Sequence, residues 1–184
     1  RQTFSSGASL AFSASSGPPT AASPRPTATA RPTARSAATD GRAALALEAD
    51  VASFGRAQEV VDEVERRFPP ATHDFYAALV YTQMNRLRTR LYREMKARGY
   101  AAASYVSSRA FVWPNVRLGE HCFVFEDNTV QPFVTVGDNV VLWSGNHIGH
   151  HSTIGDNCFI SSHVVVSGFC NVGANCFIGV NATF

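Results

Sequence analysis

An aliphatic side chain recurs at every sixth position of the chain from Val106 onward. Thirteen successive positions ending at Ile178 are Val, Leu or Ile, and no insertion interrupts the series. The residue directly after each aliphatic residue is often glycine, and the fourth residue after it is Ala, Ser, Cys, Asn or Val. A fixed period sustained over this length indicates a repeat architecture, in which each unit packs against its neighbours.

The repeat predicts a three-sided coil. Each six-residue unit supplies a short strand and a turn, and three such units complete one coil. The aliphatic side chain and the small side chain point inward, and strands of successive coils pair in parallel. The cysteines all occupy the small inward position, so we expect them to be buried and apolar rather than catalytic or metal-binding: Cys122, Cys158, Cys170 and Cys176.

Residues 57–104 are predicted to form a partial α/β subdomain, a Rossmann-like remnant. A helix that ends at Pro69 is followed by the apolar run "HDFYAALVY", a second helix and the strand-like "AAASYVS", an order typical of parallel strands. No GxGxxG segment precedes them, so the first half of a nucleotide-binding domain is missing or reduced. The second helix is expected to start at the N-cap Thr82, to end at Gly99 and to bury one face: Met84, Leu87, Leu91 and Met95.

The segment before this subdomain, residues 1–56, differs in composition from the rest of the chain. Residues 1–39 contain no Asp or Glu and consist mainly of Ser, Ala, Thr, Pro and Arg. Because such a segment cannot bury enough apolar surface to offset its ordering entropy, we predict disorder over residues 1–56. An Arg-rich and Ser-rich leader without acidic residues is also typical of an organellar transit peptide, and a low-complexity tail is the alternative.

Charge and hydropathy restrict the partners of the chain. The formal net charge of +2 gives no strong attraction to nucleic acid. No apolar run reaches the length of a membrane-spanning helix. The sequence therefore predicts neither a nucleic-acid partner nor a membrane partner.

The segment that runs from "GYAAASYVSSRAFVWPNVRL" through "SGNHIGHHSTIGDN" to "CFISSHVVVSG" resembles the sugar O-acyltransferases of the sialic acid O-acetyltransferase family. That family includes bacterial N-acetyltransferases of nucleotide-linked amino sugars, and "MNRLRTRLYREMKARGY" is similar to the end of its nucleotide-sugar domain. The resemblance covers roughly residues 57–184 and implies a left-handed parallel β-helix of hexapeptide repeats over residues 105–184. The six-residue period places a fourteenth aliphatic position at residue 184, which is Phe and ends the sequence without a polar cap. This domain is therefore expected to continue beyond residue 184.

The resemblance also implies a homotrimer with active sites between neighbouring prisms, and an acyl-CoA donor that is usually acetyl-CoA. It implies that a turn histidine is the general base, in a motif that here consists of Ile148, Gly149, His150 and His151. His150 matches the base, and His151 stands where many members have a carboxylate that orients it. The coil places Gly168, three units after His150, at the same corner, where its backbone N–H is a candidate for stabilising an oxyanion.

Three further residues are candidates for substrate binding. Asn146 and His147 precede the histidine motif, and Asn85 lies in the segment that resembles the nucleotide-sugar domain. A structural role is equally open to Asn146, since an inward-pointing amide needs a hydrogen-bond partner inside the prism. His121 and His163 are expected to be ordinary turn residues.

These residues predict an enzyme that moves an acyl group from acyl-CoA to an amine or hydroxyl of a nucleotide-activated amino sugar or a sialic-acid-like sugar, in cytoplasmic polysaccharide synthesis. One alternative is a zinc enzyme that resembles γ-class carbonic anhydrases, which require two histidines five residues apart. Gly155 lies five residues after His150 and Ser152 lies five after His147, so no metal is expected. The other alternative is a non-catalytic β-helix scaffold, which would tolerate loss of His150 and would not bind CoA.

Overall fold

The computed structural model describes residues 8–14, 44–49, 54–79 and 81–184. Within these residues, neither of the two helices has the length and hydropathy of a membrane span. The longer elements are β1 (Ala8–Ala14), β2 (Ala44–Ala49), α1 (Phe54–Arg67), β3 (His73–Ala78) and α2 (Arg86–Ala97). The short strands are β4 (Tyr105–Val106), β5 (Phe111–Val112), β6 (Arg117–Leu118), β7 (Phe123–Val124), β8 (Thr129–Val130), β9 (Thr135–Val136), β10 (Val141–Leu142), β11 (His147–Ile148), β12 (Thr153–Ile154), β13 (Phe159–Ile160), β14 (Val165–Val166), β15 (Asn171–Val172) and β16 (Phe177–Ile178).

The short strands of residues 105–184 form the three faces of a prism. One face is the five-stranded sheet β16-β13-β10-β7-β4, and the others are the four-stranded sheets β14-β11-β8-β5 and β15-β12-β9-β6. The pairs are parallel and join residues that are three units apart; Leu142, for example, pairs with Val124 and Ile160. The inward side chains form one continuous core, in which Ile148 and Ile154 are fully buried. The predicted parallel β-helix of hexapeptide repeats is therefore confirmed, and it is consistent with the left-handed form.

The four cysteines lie where the repeat predicts them. Cys122 and Cys158 are fully buried in the prism core, Cys170 and Cys176 are half-buried, and all four carry free thiols. Burial raises the pKa of Cys122 and of Cys158 to about 11, so both thiols are neutral near pH 7. The prediction that these cysteines act as small apolar groups is confirmed.

The turns that join the faces form the edges of the prism. In most of them the fourth residue of the six-residue unit has a left-handed backbone conformation, and for the non-glycine residues φ lies between 55° and 64°. Because the coils stack in register, residues that are three units apart occupy the same edge. We call one edge the histidine edge, and its turns are residues 114–115, 132–133, 150–151 and 168–169. We call another the helix edge, and its turns are residues 120–121, 138–139, 156–157 and 174–175.

The prediction of disorder over residues 1–56 needs a correction. Strand β1 pairs antiparallel with both β2 and β3, in a three-stranded sheet of order β2-β1-β3. The prediction is therefore wrong for Ala8–Ala14 and Ala44–Ala49, two proline-free stretches whose backbone groups find partners in a sheet that composition cannot reveal. The other residues before 54, to which the transit-peptide and low-complexity interpretations also apply, lie outside the described residues.

The subdomain of residues 57–104 keeps the predicted order of elements, and the two strand segments that the sequence predicts are parallel where they meet, although β3 also pairs with a strand that was not predicted. Helix α1 begins at Phe54, and β3 runs antiparallel to its neighbour β1. Parallel pairing within the described part of this subdomain consists of one bridge between Phe75 and Ala102. The second predicted strand does not extend further because the chain enters the first prism strand at Tyr105.

Helix α2 begins later than the sequence predicts. Residues 83–85 have φ values between 53° and 68°, which an α-helix does not accommodate. Asn85 is therefore the N-cap instead of Thr82, and Met84 is 56% exposed instead of buried. Gly99, with φ 88°, follows the C-cap residue, as is typical of a helix end. The rest of the predicted apolar face is buried: Leu87, Leu91 and Met95.

A buried guanidinium joins α2 to the helix edge. Arg88 is 1% exposed, and it donates from Nη2 to the His121 carbonyl oxygen (2.7 Å) and from Nε to the Ala77 carbonyl oxygen (3.2 Å). Nη1 donates to Asn139 Oδ1, and the guanidinium carbon lies 5.5 Å from the Tyr76 ring centroid. Burial lowers the pKa of Arg88 and raises the pKa of Tyr76 to about 12. Among the described residues, this cation therefore contacts carbonyl and amide oxygens and a neutral aromatic ring, and it contacts no carboxylate.

His121 belongs to the same network and is not the ordinary turn residue that the sequence predicts. Its Nε2 accepts a hydrogen bond from the Ala77 N–H (2.9 Å), so Nδ1 carries the proton and donates to Asn139 Oδ1 (2.8 Å). The Tyr92 ring stacks on the imidazole at a centroid distance of 5.1 Å. The position is buried because β3 and α2 cover the helix edge.

We expect His121 to make the free energy of unfolding depend on pH. Burial, and to a lesser extent the Arg88 cation, holds the pKa of His121 well below its ordinary value of 6.5. Below about pH 6.5 the unfolded chain therefore binds a proton at this residue that the folded chain does not, and stability falls by up to about 1.4 kcal/mol per pH unit until the folded pKa is reached. Urea unfolding between pH 5 and 7.5 measures this slope. His121→Gln should have a shallower slope, and an equal slope in both proteins would contradict the assignment.

Candidate active site

His150 and Gly168 lie one above the other at the histidine edge. The His150 ring covers the glycine so closely that a Cβ built on Gly168 would lie 2.8 Å from Cε1 and 2.9 Å from Nε2 of the imidazole. A side chain at position 168 would therefore displace the ring. The structure thus brings together the two residues that the three-unit spacing singles out.

Hydrogen bonds to both neighbouring coils hold the backbone of His150. Its N–H donates to Gln131 Oε1 (2.9 Å), and its carbonyl oxygen accepts from the Phe169 N–H (2.9 Å). Gly149, directly before it, is buried, and a Cβ there would lie 2.5 Å from the Gly168 nitrogen. Glycine is needed at this position because the two coils touch, and the turn is consequently fixed in place.

The neighbouring histidine supports the imidazole of His150. The Nδ1 atoms of His150 and His151 are 3.1 Å apart, so one donates to the other when both rings are neutral. The His151 ring lies between Phe133 and Phe169, at centroid distances of 4.7 and 4.8 Å and interplanar angles of 28° and 13°. This stack fixes the plane of His151, and the hydrogen bond orients the ring of His150.

Phe133 and Phe169 have backbone conformations that aromatic residues rarely adopt. Their φ values are 64° and 61°, in the left-handed region that favours glycine and asparagine. The other prism turns with positive φ have Asn, Asp, His or Gly at this position. Such conformations cost roughly 1–3 kcal/mol each and cluster at functional sites. Two strained phenylalanines on either side of His151 therefore point to a functional role for the stack.

The histidine edge offers a base beside a hydrogen-bond donor. His150 is exposed, and no described residue accepts a hydrogen bond from the Gly168 N–H. A neutral imidazole can take a proton from an amine or hydroxyl near neutral pH, and an adjacent backbone N–H can stabilise a developing oxyanion. Among the described residues, no group of three or more His, Cys, Asp or Glu side chains is placed to hold a metal ion.

Asn146 and His147 are not placed at the histidine edge. Asn146 is 1% exposed inside the prism, where Nδ2 donates to the Trp143 carbonyl oxygen (2.7 Å) and Oδ1 accepts from the Val164 N–H (2.8 Å). Its amide is engaged inside the core, which corrects the predicted substrate contact in favour of the structural role. His147 is half-buried on β11, and among the described residues no hydrogen bond or ring contact joins it to His150.

Asn85 lies on another edge of the prism from His150. It is 1% exposed at the start of α2, and its Nδ2 donates to the Asn157 carbonyl oxygen (3.0 Å) at the helix edge. Its Oδ1 has no hydrogen-bond partner among the described residues. The structure does not bring Asn85 and His150 together within one chain, and substrate binding by Asn85 stays a prediction.

Three residues of the site, Gln131, Phe133 and Phe169, are not predicted from the sequence. Their side chains hold His150 and His151, but none of them is of a type that is usually taken as catalytic. Phe133 lies three units before His151, and Phe169 lies three units after it. The spacing that identifies Gly168 could therefore have identified both rings.

Comparison with known proteins supports the repeat. Residues 133–168 match the family model described as bacterial transferase hexapeptide (six repeats). This segment contains the histidine edge from Phe133 to Gly168. A search of curated proteins finds no match.

Several solved structures are similar to the chain. PerB from Caulobacter crescentus, in complex with CoA and GDP-perosamine, is 24% identical with a TM-score of 0.45, over 54% of this chain and 57% of that chain. The acetyltransferase domain of PglB from Neisseria gonorrhoeae FA1090 is 20% identical with a TM-score of 0.37, over 53% and 60%. Serine acetyltransferase isoform 3 from Entamoeba histolytica is 21% identical with a TM-score of 0.31, over 41% and 33%. The chain thus spans less than two thirds of each of these proteins. The sequence period, the prism and the matched segment agree, and the region from residue 105 onward is a hexapeptide-repeat β-helix.

Proposed function

We propose that the protein is a CoA-dependent acyltransferase that transfers an acyl group, most simply acetyl, to an amine or hydroxyl of a nucleotide-linked amino sugar or a sialic-acid-like sugar. The observation that carries the proposal is the imidazole of His150 lying over the bare amide of Gly168 at an exposed prism edge. The resemblance of residues 57–184 to sugar O-acyltransferases and the transferase hexapeptide match support it.

The proposed reaction is a direct transfer. The acceptor nitrogen or oxygen attacks the thioester carbonyl carbon while His150 Nε2 takes its proton. The new C–N or C–O bond forms, the C–S bond breaks, and the CoA thiolate leaves and receives the proton from the imidazolium. The Gly168 N–H donates a hydrogen bond to the carbonyl oxygen while that oxygen carries negative charge.

His151 takes the place of the orienting carboxylate in this proposal. Its Nδ1 accepts a hydrogen bond from the His150 Nδ1–H, which leaves the Nε2 lone pair of His150 to act as the base. A neutral acceptor stabilises the imidazolium less than a carboxylate does. The aromatic stack holds the His151 ring in one plane, so its contribution is to orient His150.

We expect Gly168→Ala to lower kcat by roughly 10²–10³-fold, the range expected when an oxyanion donor is lost. The added methyl group would meet the His150 ring at 2.8 Å, so it would displace the base and cover the amide. Thiol release at saturating acetyl-CoA measures the effect. Gly173→Ala is the matched control, because a Cβ there meets nothing within 4 Å. Wild-type turnover by Gly168→Ala would contradict the role of this residue.

The active form is proposed to be a homotrimer in the cytoplasm, with each site between neighbouring prisms. Light scattering after gel filtration should give a mass near three times 19.8 kDa. A monomer that is fully active would contradict the shared site.

The proposed function is tested by a CoA-release assay with acetyl-CoA and a panel of nucleotide amino sugars. GDP-perosamine is the first acceptor to try, because the similar PerB structure contains it. Mass spectrometry of the product should show one added acetyl group, and treatment with alkaline hydroxylamine separates an O-ester from an N-amide. Tightly bound zinc with carbon dioxide hydration and no thiol release would favour the carbonic-anhydrase-like alternative. The absence of both activities would favour the scaffold.

A further inference from the structure

A large cavity opens at the helix edge, away from His150. It has a volume of about 730 Å³ and lies between α2 and the last turns of that edge. Its lining combines cations, amides and apolar side chains: Met84, Arg86, Thr89, Arg90, Arg93, Glu94, Asn157, Asn175 and Phe177. Neither the proposed base nor the proposed oxyanion donor borders it, so the cavity needs an explanation of its own.

The cavity is cationic along one wall. Arg86, Arg90 and Arg93 follow each other at spacings of four and three residues, which places them on one face of α2. The single carboxylate in the lining, Glu94, is bound by the Arg98 Nε at 3.1 Å. Arg86 and Arg93 are exposed at this cavity, and arginine binds phosphate oxygens with paired N–H donors.

An aromatic ring borders the same cavity. Phe177 on β16 stacks on Phe159 at a centroid distance of 5.3 Å and an interplanar angle of 12°. Phe177 is nevertheless 39% exposed, and Met84 beside the cavity is 56% exposed. An exposed ring next to clustered arginines fits a ligand with a flat ring and several phosphates. The exposed Asn175 adds an amide that can hydrogen-bond to a sugar or a base.

We propose that this cavity binds a nucleoside diphosphate group, with the phosphates on the α2 arginines and the base on Phe177. This deepens the proposed function and rests on it only for the source of the ligand. Both CoA and a nucleotide sugar contain a nucleoside diphosphate.

Calorimetric titration of the full chain with ADP, without acceptor or turnover, tests the proposal. We expect saturable binding by the wild type that weakens as salt is raised, and at least about tenfold weaker binding by Arg86→Gln/Arg93→Gln. Arg117→Gln removes an exposed arginine on β6, outside the cavity, and should bind ADP within about twofold of wild type. No binding of ADP, UDP or GDP by the wild type, or binding by the double variant equal to that of Arg117→Gln, would overturn the proposal.

The stacking part is tested separately with Phe177→Leu. This variant should weaken ADP binding while pyrophosphate binding is unchanged, and Phe111→Leu, an exposed phenylalanine on β5, should leave both unchanged. Pyrophosphate that binds as tightly as ADP to the wild type would overturn the assignment of the base to Phe177. Tighter binding of CoA than of UDP-sugars and GDP-sugars identifies the donor as the source, and the reverse order identifies the acceptor.

Failure of this inference is distinguishable from failure of the proposed function. His150→Ala is expected to bind ADP as the wild type does, because His150 lies on another edge. If the wild type binds ADP but releases no thiol with any acceptor, the acyltransferase proposal fails and the cavity assignment stands. If the wild type transfers acetyl but the double arginine variant binds ADP as the wild type does, the cavity assignment fails and the acyltransferase proposal is retained.

Discussion

Replacing His150 by alanine is expected to lower kcat by about 10²–10⁴-fold, the usual contribution of a general base. Without the imidazole, the acceptor must lose its proton to water while it attacks the thioester. The side chain is exposed, and its contacts among the described residues are with His151, Gly168 and Phe169. The fold should therefore persist. Thiol release at saturating substrate, with circular dichroism as the check on folding, measures the loss.

Matched variants separate the base from the surrounding edge. His163→Ala removes another exposed turn histidine, with φ 56°, from a different edge, and it should leave kcat unchanged. His151→Asp restores the carboxylate that the resemblance leads us to expect, and it should retain more activity than His151→Leu. Turnover by His150→Ala at the wild-type rate would reject His150 as the base.

Replacing Arg88 by methionine is expected to destabilise the fold by roughly 3 kcal/mol. The methionine fills part of the space but removes three hydrogen bonds to a buried cation. The Ala77 carbonyl oxygen and Asn139 Oδ1 keep the Leu79 N–H and the His121 Nδ1–H as donors, whereas the His121 carbonyl oxygen loses its donor among the described residues. Each buried acceptor without a partner costs about 1–3 kcal/mol, and the costs are not additive. The loss falls where α2 and β3 meet the prism, so chemical denaturation followed by far-ultraviolet circular dichroism should show it.

Arg93→Met is the control for this prediction. Arg93 is exposed on the same helix, and its replacement should change the free energy of unfolding by less than about 0.5 kcal/mol. The free energy of unfolding of Arg88→Lys should lie between those of Arg88→Met and Arg93→Met, because an ammonium cannot reach all three acceptors at once. If Arg88→Met were as stable as Arg93→Met, the buried network would not hold the subdomain to the prism.

The prism was predictable from the sequence because every unit obeys the same local rule. An aliphatic residue at each sixth position fixes which side chains point inward, and a coil of three units fixes which positions are stacked. The position of Gly168 at the same edge as His150 follows from that spacing, whereas the choice of His150 as the base comes from the family resemblance. The positions of Phe133 and Phe169 follow from the spacing as well, but a phenylalanine in a left-handed turn is not a residue that sequence patterns indicate.

The helix edge was not predictable, because burial there depends on contacts between distant parts of the chain. Arg88 stands in the sequence among exposed arginines of the same helix, and nothing local distinguishes it from Arg86 or Arg93. His121 has the position of an exposed turn residue and becomes buried when β3 and α2 pack on it. Ala8–Ala14 likewise forms a strand through pairing with β3, far along the chain.

Stacking at a constant spacing limits how this protein can change in length. One residue inserted into a turn between His150 and Gly168 would shift all later side chains by one place relative to the earlier coils, so aliphatic residues would face water and His150 would no longer lie above Gly168. Duplication of a whole coil would keep every inward-pointing and outward-pointing side chain on its present side of the prism wall. Placed between His150 and Gly168, however, it would separate the two by one further rung, about 4.8 Å. Viable insertions and deletions should therefore come in multiples of three units and should lie outside the interval from His150 to Gly168.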